Sequence, residues 1–330
     1  MRLPPLGLSL PLAGVDPRSA VEVARAAQDH GYESCWVAEI QGPDAFTTLG
    51  ALAVATDLHL GVAVVPVQTR TAFVLGMTAV SLAQLSGGRF TLGVGPSSEV
   101  IVDRWAGQSF ARPLTAVREM VEALGPLLAG QRSAYDGEVV RVGGFQTHAV
   151  PPGGRVPLVL GALNPRSCRL VGELGVDGLC VNQVAPWHLP AMLDHVARGA
   201  GGTMPEQFTV MARLFGAVTD DVPAARAAAK ATFAPYIATS VYNRFYTWMG
   251  YDDEARAVLT AAAARDRDAM TAAVSDRIVD DLFCLGTADE VAEKIAAFCD
   301  AGVTVPVFHP LTASREQAES MLGALAEAWR

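Results

Sequence analysis

LHLGVAVVPVQTRTAFVLGMTAVSLAQLSGGRFTLGV (Leu58–Val94) is the stretch that decides the fold. Leu58–Val65 reads as an apolar strand and Thr71–Leu85 as a helix. Gly87-Gly88 then turns the chain into a second apolar strand, Arg89–Val94. Continuous apolar strands joined through a helix describe a parallel βαβ unit, its strands covered on both faces.

The unit recurs on either side. Upstream, Leu6–Leu10 (LGLSL) is a strand, and Asp16-Pro17 supplies an N-cap and a proline for the first turn of a helix that runs to His30-Gly31. Ser34–Ala38 is the second strand and Asp44–Thr56 the second helix. Downstream, Pro113–Leu128 is helical and Tyr135–Val142 forms a small hairpin around Asp136-Gly137. Further strands follow at Val156–Leu160, Gly178–Val181, within Gln207–Val218 and at Val303–Phe308, with helices at Pro165–Leu174 and Ser314–Arg330. Eight strands alternating with helices describe a (β/α)₈ barrel, an α/β fold for which about 250 residues are typical. The 330-residue chain is read as one domain, 1–330, carrying insertions. The largest is a helical segment near 220–285 that holds Tyr236, Tyr242, Phe245, Tyr246, Trp248 and Tyr251. A doubly wound open sheet is the alternative, but no GxGxxG opens the first helix.

Composition narrows the function. A hydrophobic fraction of 51% with 18% charged residues excludes a disordered chain. A net charge of −9 argues against nucleic acid as a partner, since that binding needs a basic face. No apolar run approaches the ~18 residues of a membrane span. Met1-Arg2-Leu3-Pro4-Pro5 leads straight into a strand, without the charged-then-apolar order of a signal peptide. The five cysteines (Cys35, Cys168, Cys180, Cys284, Cys299) form no CxxC pair and read as reduced core residues of a cytoplasmic protein. Lys230 and Lys294 are the only lysines, both in helical stretches, which excludes Schiff-base chemistry at a strand end. The six histidines form no HExxH and no HxH at a strand end, so no metal site is expected. No GxSxG is present, so a serine hydrolase has no anchor.

Function in a barrel of this kind belongs at the C-terminal strand ends. After strand two stands Glu39, either a proton donor or ring anchor, or an acid that caps the next helix or pairs with an arginine. After strand three, Val64-Val65-Pro66 offers a flat apolar wall. After strand four, GVGPSS places Ser97 and Ser98 within reach of a ligand, though without the GxxxxGK[ST] of a phosphate loop. After strand five comes LGALNPRS. Asn164 is an N-cap, Pro165 a first helical residue, and Gly161 and Ala162 admit close approach of a ligand. Together with Ser167 and the charge of Arg166, that helix end suits a phosphate.

Taken together, these stretches resemble the luciferase-like monooxygenase superfamily, in the deazaflavin branch that uses coenzyme F420. The resemblance is carried by LSGGRFTLGVGPSSEVIVDRWAGQSFARPLTAVREMVEAL (Leu85–Leu124), WVAEIQGPDAFTTLGALA (Trp36–Ala53) and LGVAVVPVQTRT (Leu60–Thr71). It extends through LGALNPRSCRLVGELGVDGLCVNQVAP (Leu160–Pro186) and DDLFCLGTADEVAEKIAAFCDAGVTVPVFHP (Asp280–Pro310), so it spans nearly the whole chain. It implies a cofactor ring in the barrel mouth against a bulge after strand three, often with a non-proline cis peptide, here assigned to Val64–Val65. It implies the cofactor phosphate at Gly161–Ser167, Ser97 and Ser98 near the cofactor, and Tyr242, Arg244 and Trp248 in the substrate space. It further implies a homodimer. Alcohol and sugar-phosphate dehydrogenases of the branch carry Asp-His after strand two, where this chain has Glu39-Ile40. The expected reaction is therefore hydride transfer between the deazaflavin and a small organic substrate, reducing an activated C=C or C=N bond, with Glu39 or a tyrosine supplying the proton. An FMN-dependent monooxygenase and a non-catalytic flavin- or deazaflavin-binding protein are the alternatives.

Overall fold

Eight parallel strands close on themselves: β1 (Gly7–Leu10), β2 (Ser34–Val37), β3 (His59–Val62), β4 (Phe90–Gly95), β5 (Leu158–Gly161), β6 (Gly178–Asn182), β7 (Thr209–Val218) and β8 (Val305–Pro310). Each pairs with the next, and β8 pairs back to β1 through Gly7↔Val307 and Leu8↔Phe308. The chain is a (β/α)₈ TIM barrel, and closure removes the open-sheet alternative. The computed structural model describes residues 3–330; Met1 and Arg2 of the N-terminal run lie outside the described residues.

The eight strands are the eight apolar runs of the sequence. Their outward side chains and the apolar faces of the helices form one continuous core, in which Leu8, Leu10, Leu60, Val62, Phe90 and Leu92 are fully buried. Inward side chains make a second, smaller layer of Trp36, Val159, Cys180, Met211 and Val307. Burying each such large side chain contributes roughly 1.5–3 kcal/mol. Trp36 is accommodated because β3 carries Gly61, where a Cβ would collide with the indole ring. The helix starts follow their caps. Asp16 Oδ1 accepts from Arg18 N at 2.8 Å and Ser19 N at 3.1 Å, and Asp44 Oδ1 accepts from Thr47 N at 2.7 Å.

Three features depart from the sequence expectation. The run Leu58–Val65 is not one strand: β3 ends at Val62, the chain turns, and Val65–Pro66 rejoins the sheet beside β4. The non-proline cis peptide is Ala63–Val64, one bond earlier than assigned, because an unbroken apolar run carries no mark of where the chain turns. The hairpin is offset, pairing Ser133–Asp136 with Arg141–Phe145.

After β7 the chain first forms five helices, Val222–Ile237, Ser240–Trp248, Asp252–Ala263, Arg267–Ala272 and Asp276–Leu282. The short strand Cys284–Gly286 then adds to the end of β7 and leads into the helix Ala288–Asp300. All five cysteines are free, four of them buried. Among the described residues no helix is long and apolar enough to cross a membrane, and no metal-ligating cluster occurs.

Candidate active site

A cavity of about 480 Å³ opens where the strands end, between the barrel mouth and the helices that follow β7. Its two sides differ in chemistry.

The side built on β3, β4 and β5 is apolar at its centre, around Val64, and polar at its edges. Val64 projects from the turn after β3, flanked by Ala63 and Pro66. Two glycines make room for it: a Cβ on Gly95 would lie 2.8 Å from Val64 Cγ2, and one on Gly161 3.2 Å from the same atom. Beyond them, Ser97 holds a left-handed backbone at φ 62° and, with Ser98, edges the cavity. Such a conformation is uncommon for a residue with a side chain and concentrates at ligand-binding loops.

The helix Pro165–Leu174 points its N-terminus at the same side. Asn164 Oδ1 accepts from Ser167 N at 2.9 Å, while Ser167 Oγ accepts from Leu163 N and Asn164 N at 3.2 and 3.1 Å. Most of the early N–H groups are thus satisfied internally. Arg166 contributes a further backbone N–H in the first turn and an exposed guanidinium without an ion-pair partner among the described residues. That partial positive end favours an anion.

Glu39, at the end of β2, faces the cavity but is committed elsewhere. Both its oxygens accept from Arg70: Oε1 from Nη1, and Oε2 from Nη2 at 2.8 Å. Nη2 of the same guanidinium also reaches Asp44 at 2.7 Å. Burial alone would lower the Arg70 pKa, but the two carboxylates raise it on balance. A carboxylate in such a fork is an acceptor with no proton to give.

The facing side, built on β6, β7 and the inserted helices, sets the polar side chains Asn182, Arg213, Tyr236, Thr239 and Tyr242 among apolar ones. Arg213 on β7 is 8% exposed and lines the cavity. Its Nη2 donates to His309 Nδ1 at 3.0 Å, and its guanidinium lies 4.6 Å over the Phe215 ring. Nε is buried with no hydrogen-bond partner. Burial pulls the Arg213 pKa down to about 10, so the group remains a cation at neutral pH. Burial, and then the charge of Arg213, pushes His309 well below the ordinary histidine value. Arg213 has only donors, so His309 Nδ1 is the unprotonated acceptor. Tyr242 closes this side: its hydroxyl accepts from Asn182 Nδ2 at 3.1 Å, and burial raises its pKa to about 12. Its own proton is therefore free for the cavity.

Residues 5–305 match the luciferase-like monooxygenase family. The chain belongs to that family. A 5,10-methylenetetrahydromethanopterin reductase of Methanolobus tindarius is 30% identical over 91% of this chain and 93% of its own. A chain of Mycobacterium tuberculosis, provisionally named a coenzyme F420-dependent oxidoreductase, is 29% identical over 92% of this chain and 94% of its own. The structure of the coenzyme F420-dependent tetrahydromethanopterin reductase of Methanopyrus kandleri superposes with a TM-score of 0.82 at 22% identity. It covers 99% of this chain and 100% of that one, which shows the shared fold.

In this luciferase-like barrel, Glu39, Val64, Ser97, Ser98, Gly161, Ala162, Asn164, Ser167 and Tyr242 share one cavity. Val65 does not: it is fully buried beneath the bulge, paired with Val94. Pro165 and Arg166 stand at the helix end beside the cavity rather than in its wall. Arg244 and Trp248 are elsewhere. Arg244 lies two residues, about 200° of helix, past Tyr242 and is exposed, its Nε donating to Ser240 O at 2.9 Å. Trp248 packs its ring 4.4 Å from His188 and 5.8 Å from His195, fastening the inserted helices to the helix Leu189–Gly199. Sequence reasoning passed over Arg213, Asn182 and the role of His309, while Tyr236 of the inserted aromatic cluster does line the cavity. The signal for Arg213 was a lone cation inside the apolar strand TVMARLFGAV, two residues from Met211 and so on the same face.

Proposed function

We propose that this chain is a coenzyme F420-dependent oxidoreductase that reduces an activated C=C or C=N bond in a small organic substrate. The observation that carries the cofactor is the 29% identity, over 92% of the chain, to the M. tuberculosis protein provisionally named for F420 dependence. The residues present suit such a group. Val64, Ala63 and Pro66 make an apolar shelf for a planar ring, and the helix end at Asn164–Ser167 with Arg166 suits its phosphate.

When bound, the deazaflavin supplies the hydride. The protein's part is position and proton. Ala63, Val64 and Pro66 would hold one face of the ring, leaving the space toward Asn182, Arg213 and Tyr242 for the substrate. The π bond breaks as a new C–H bond forms with the hydride, leaving an electron pair on the partner atom. Tyr242 gives that atom its proton and regains one from solvent. Glu39 fixes Arg70 and the loop after β2 instead of moving a proton. A reduction also fits the loop after β2, where no histidine stands to take a proton from an alcohol. The proposal includes a cytoplasmic homodimer, checked by light scattering on the purified protein.

Separate titrations with F420 and FMN, followed by cofactor fluorescence, test the cofactor. Micromolar F420 binding, and oxidation of reduced F420 by activated alkenes or imines, is the expected result. Binding of FMN alone replaces the reading with a flavin monooxygenase, and binding of neither with a non-catalytic protein.

A further inference from the structure

Among the described residues, two charged side chains line the cavity, Glu39 and Arg213. Glu39 is neutralised by Arg70, outside the wall. Arg213 is neutralised by nothing: its one polar partner is a neutral imidazole, its Nε is an orphan, and Nη1 makes no hydrogen bond among the described residues. The β7 side of the cavity thus carries an unbalanced positive charge. A buried guanidinium without a counter-charge is destabilising, and an anion entering the cavity offsets much of that cost.

Position says which anion. In a closed eight-stranded barrel β7 stands opposite β3, so Arg213 faces the Val64 shelf from across the mouth. The phosphate-suited helix end belongs to the shelf side. Arg213 belongs to the side with Asn182, Tyr236 and Tyr242, where the substrate must sit to meet the ring's open face. There is one cation here, since His309 stays neutral beside Arg213. A single charge flanked by neutral donors matches a carboxylate better than a doubly charged phosphate.

We infer that Arg213 is a specificity residue that binds a carboxylate of the substrate, so the enzyme reduces small unsaturated acids. The inference rests on the substrate position proposed above. One carboxylate oxygen accepts from Nη1, the other from a neighbouring hydroxyl or amide, and Tyr242 is left beside the unsaturated bond.

Calorimetry on the full chain, with and without F420, tests it. The probes are crotonate, tiglate, cyclohexene-1-carboxylate and cinnamate, each paired with its carboxamide. At least one acid binds wild type tenfold or more tighter than its amide. Arg213→Met abolishes that preference and Arg213→Lys keeps part of it, while F420 affinity stays within twofold in both. Arg213→Gln provides a second variant should Arg213→Met fail to fold. No preference for any acid overturns the inference, as does a tenfold loss of F420 affinity with the acid preference intact. Because the acid-over-amide preference is also read without F420, failure of the cofactor reading shows separately, as absent F420 binding.

Discussion

His309 Nδ1 accepts from Arg213 Nη2 at 3.0 Å and lies 3.2 Å from Ser9 Oγ, so strands β1, β7 and β8 meet through one unprotonated nitrogen. Protonating it would set a second cation against Arg213 inside the barrel. His309, His59 and His188 all have their pKa lowered, in each case first by burial. Below the ordinary histidine value of about 6.5 the unfolded chain binds protons that the folded chain refuses, so stability falls with pH. Urea denaturation will show full stability above about pH 6.5 and a progressive loss toward pH 5. His309→Gln will flatten that slope. A slope equal to that of wild type would mean the other histidines account for it. The carboxylates Asp44 and Asp177, with pKa lowered from 3.8, add their loss only in a lower pH range.

Glu39→Gln separates a proton donor from an anchor. It breaks a two-pronged ion pair whose side chains are 17% and 20% exposed. The expected loss is about 1–2 kcal/mol of stability, between the values for exposed and fully buried pairs. The rate of substrate reduction will fall less than tenfold. A fall of a hundredfold with stability unchanged would return the proton to Glu39.

Tyr242→Phe removes the proposed acid and leaves the ring in place. General acid catalysis contributes typically 10²–10⁴-fold, so kcat will fall by about 10²–10³ while F420 affinity stays within twofold. A tyrosine raised to about 12 stays protonated well past neutrality. The wild-type kcat, read at saturating substrate, will therefore stay flat through pH 10, where an ordinary tyrosine would already be losing its proton. A basic limb beginning near pH 9 would point to another group.

The eight strands were legible because each is an apolar run closed by a turn signal, and closure adds no new sequence requirement. The Asn164-Pro165 helix start was legible because a cap is a local hydrogen bond. Of the facing wall only Tyr242 was legible, because the rest is assembled across the chain: Asn182 and Arg213 come from two strands, and His309, which holds Arg213, from a third. Which way each points depends on strand parity and on where the inserted helices settle. The same limit applies to the aromatic cluster. Tyr242 and Trp248 sit six residues apart, yet one faces the cavity and the other the helix Leu189–Gly199. The bulge at Ala63–Val64 was readable as a place but not to the residue, since β3 and the segment rejoining β4 share one apolar run.

Asn164 and Arg166 test whether the helix end serves only its helix. Asn164→Ala removes the cap and should cost about 1 kcal/mol. Asn164→Asp retains a capping oxygen, so stability will hold, but it sets a negative charge where a phosphate is proposed. F420 affinity will then fall about tenfold, a difference of 1.4 kcal/mol. Arg166→Ala changes an exposed, unpaired side chain, so stability will shift by no more than about 0.5 kcal/mol. F420 affinity will fall severalfold, more at low salt than at high, because an exposed charge acts through solvent. If Asn164→Asp binds F420 as wild type does, the capping box is complete in itself. The phosphate must then lie against the Ser97–Ser98 loop instead.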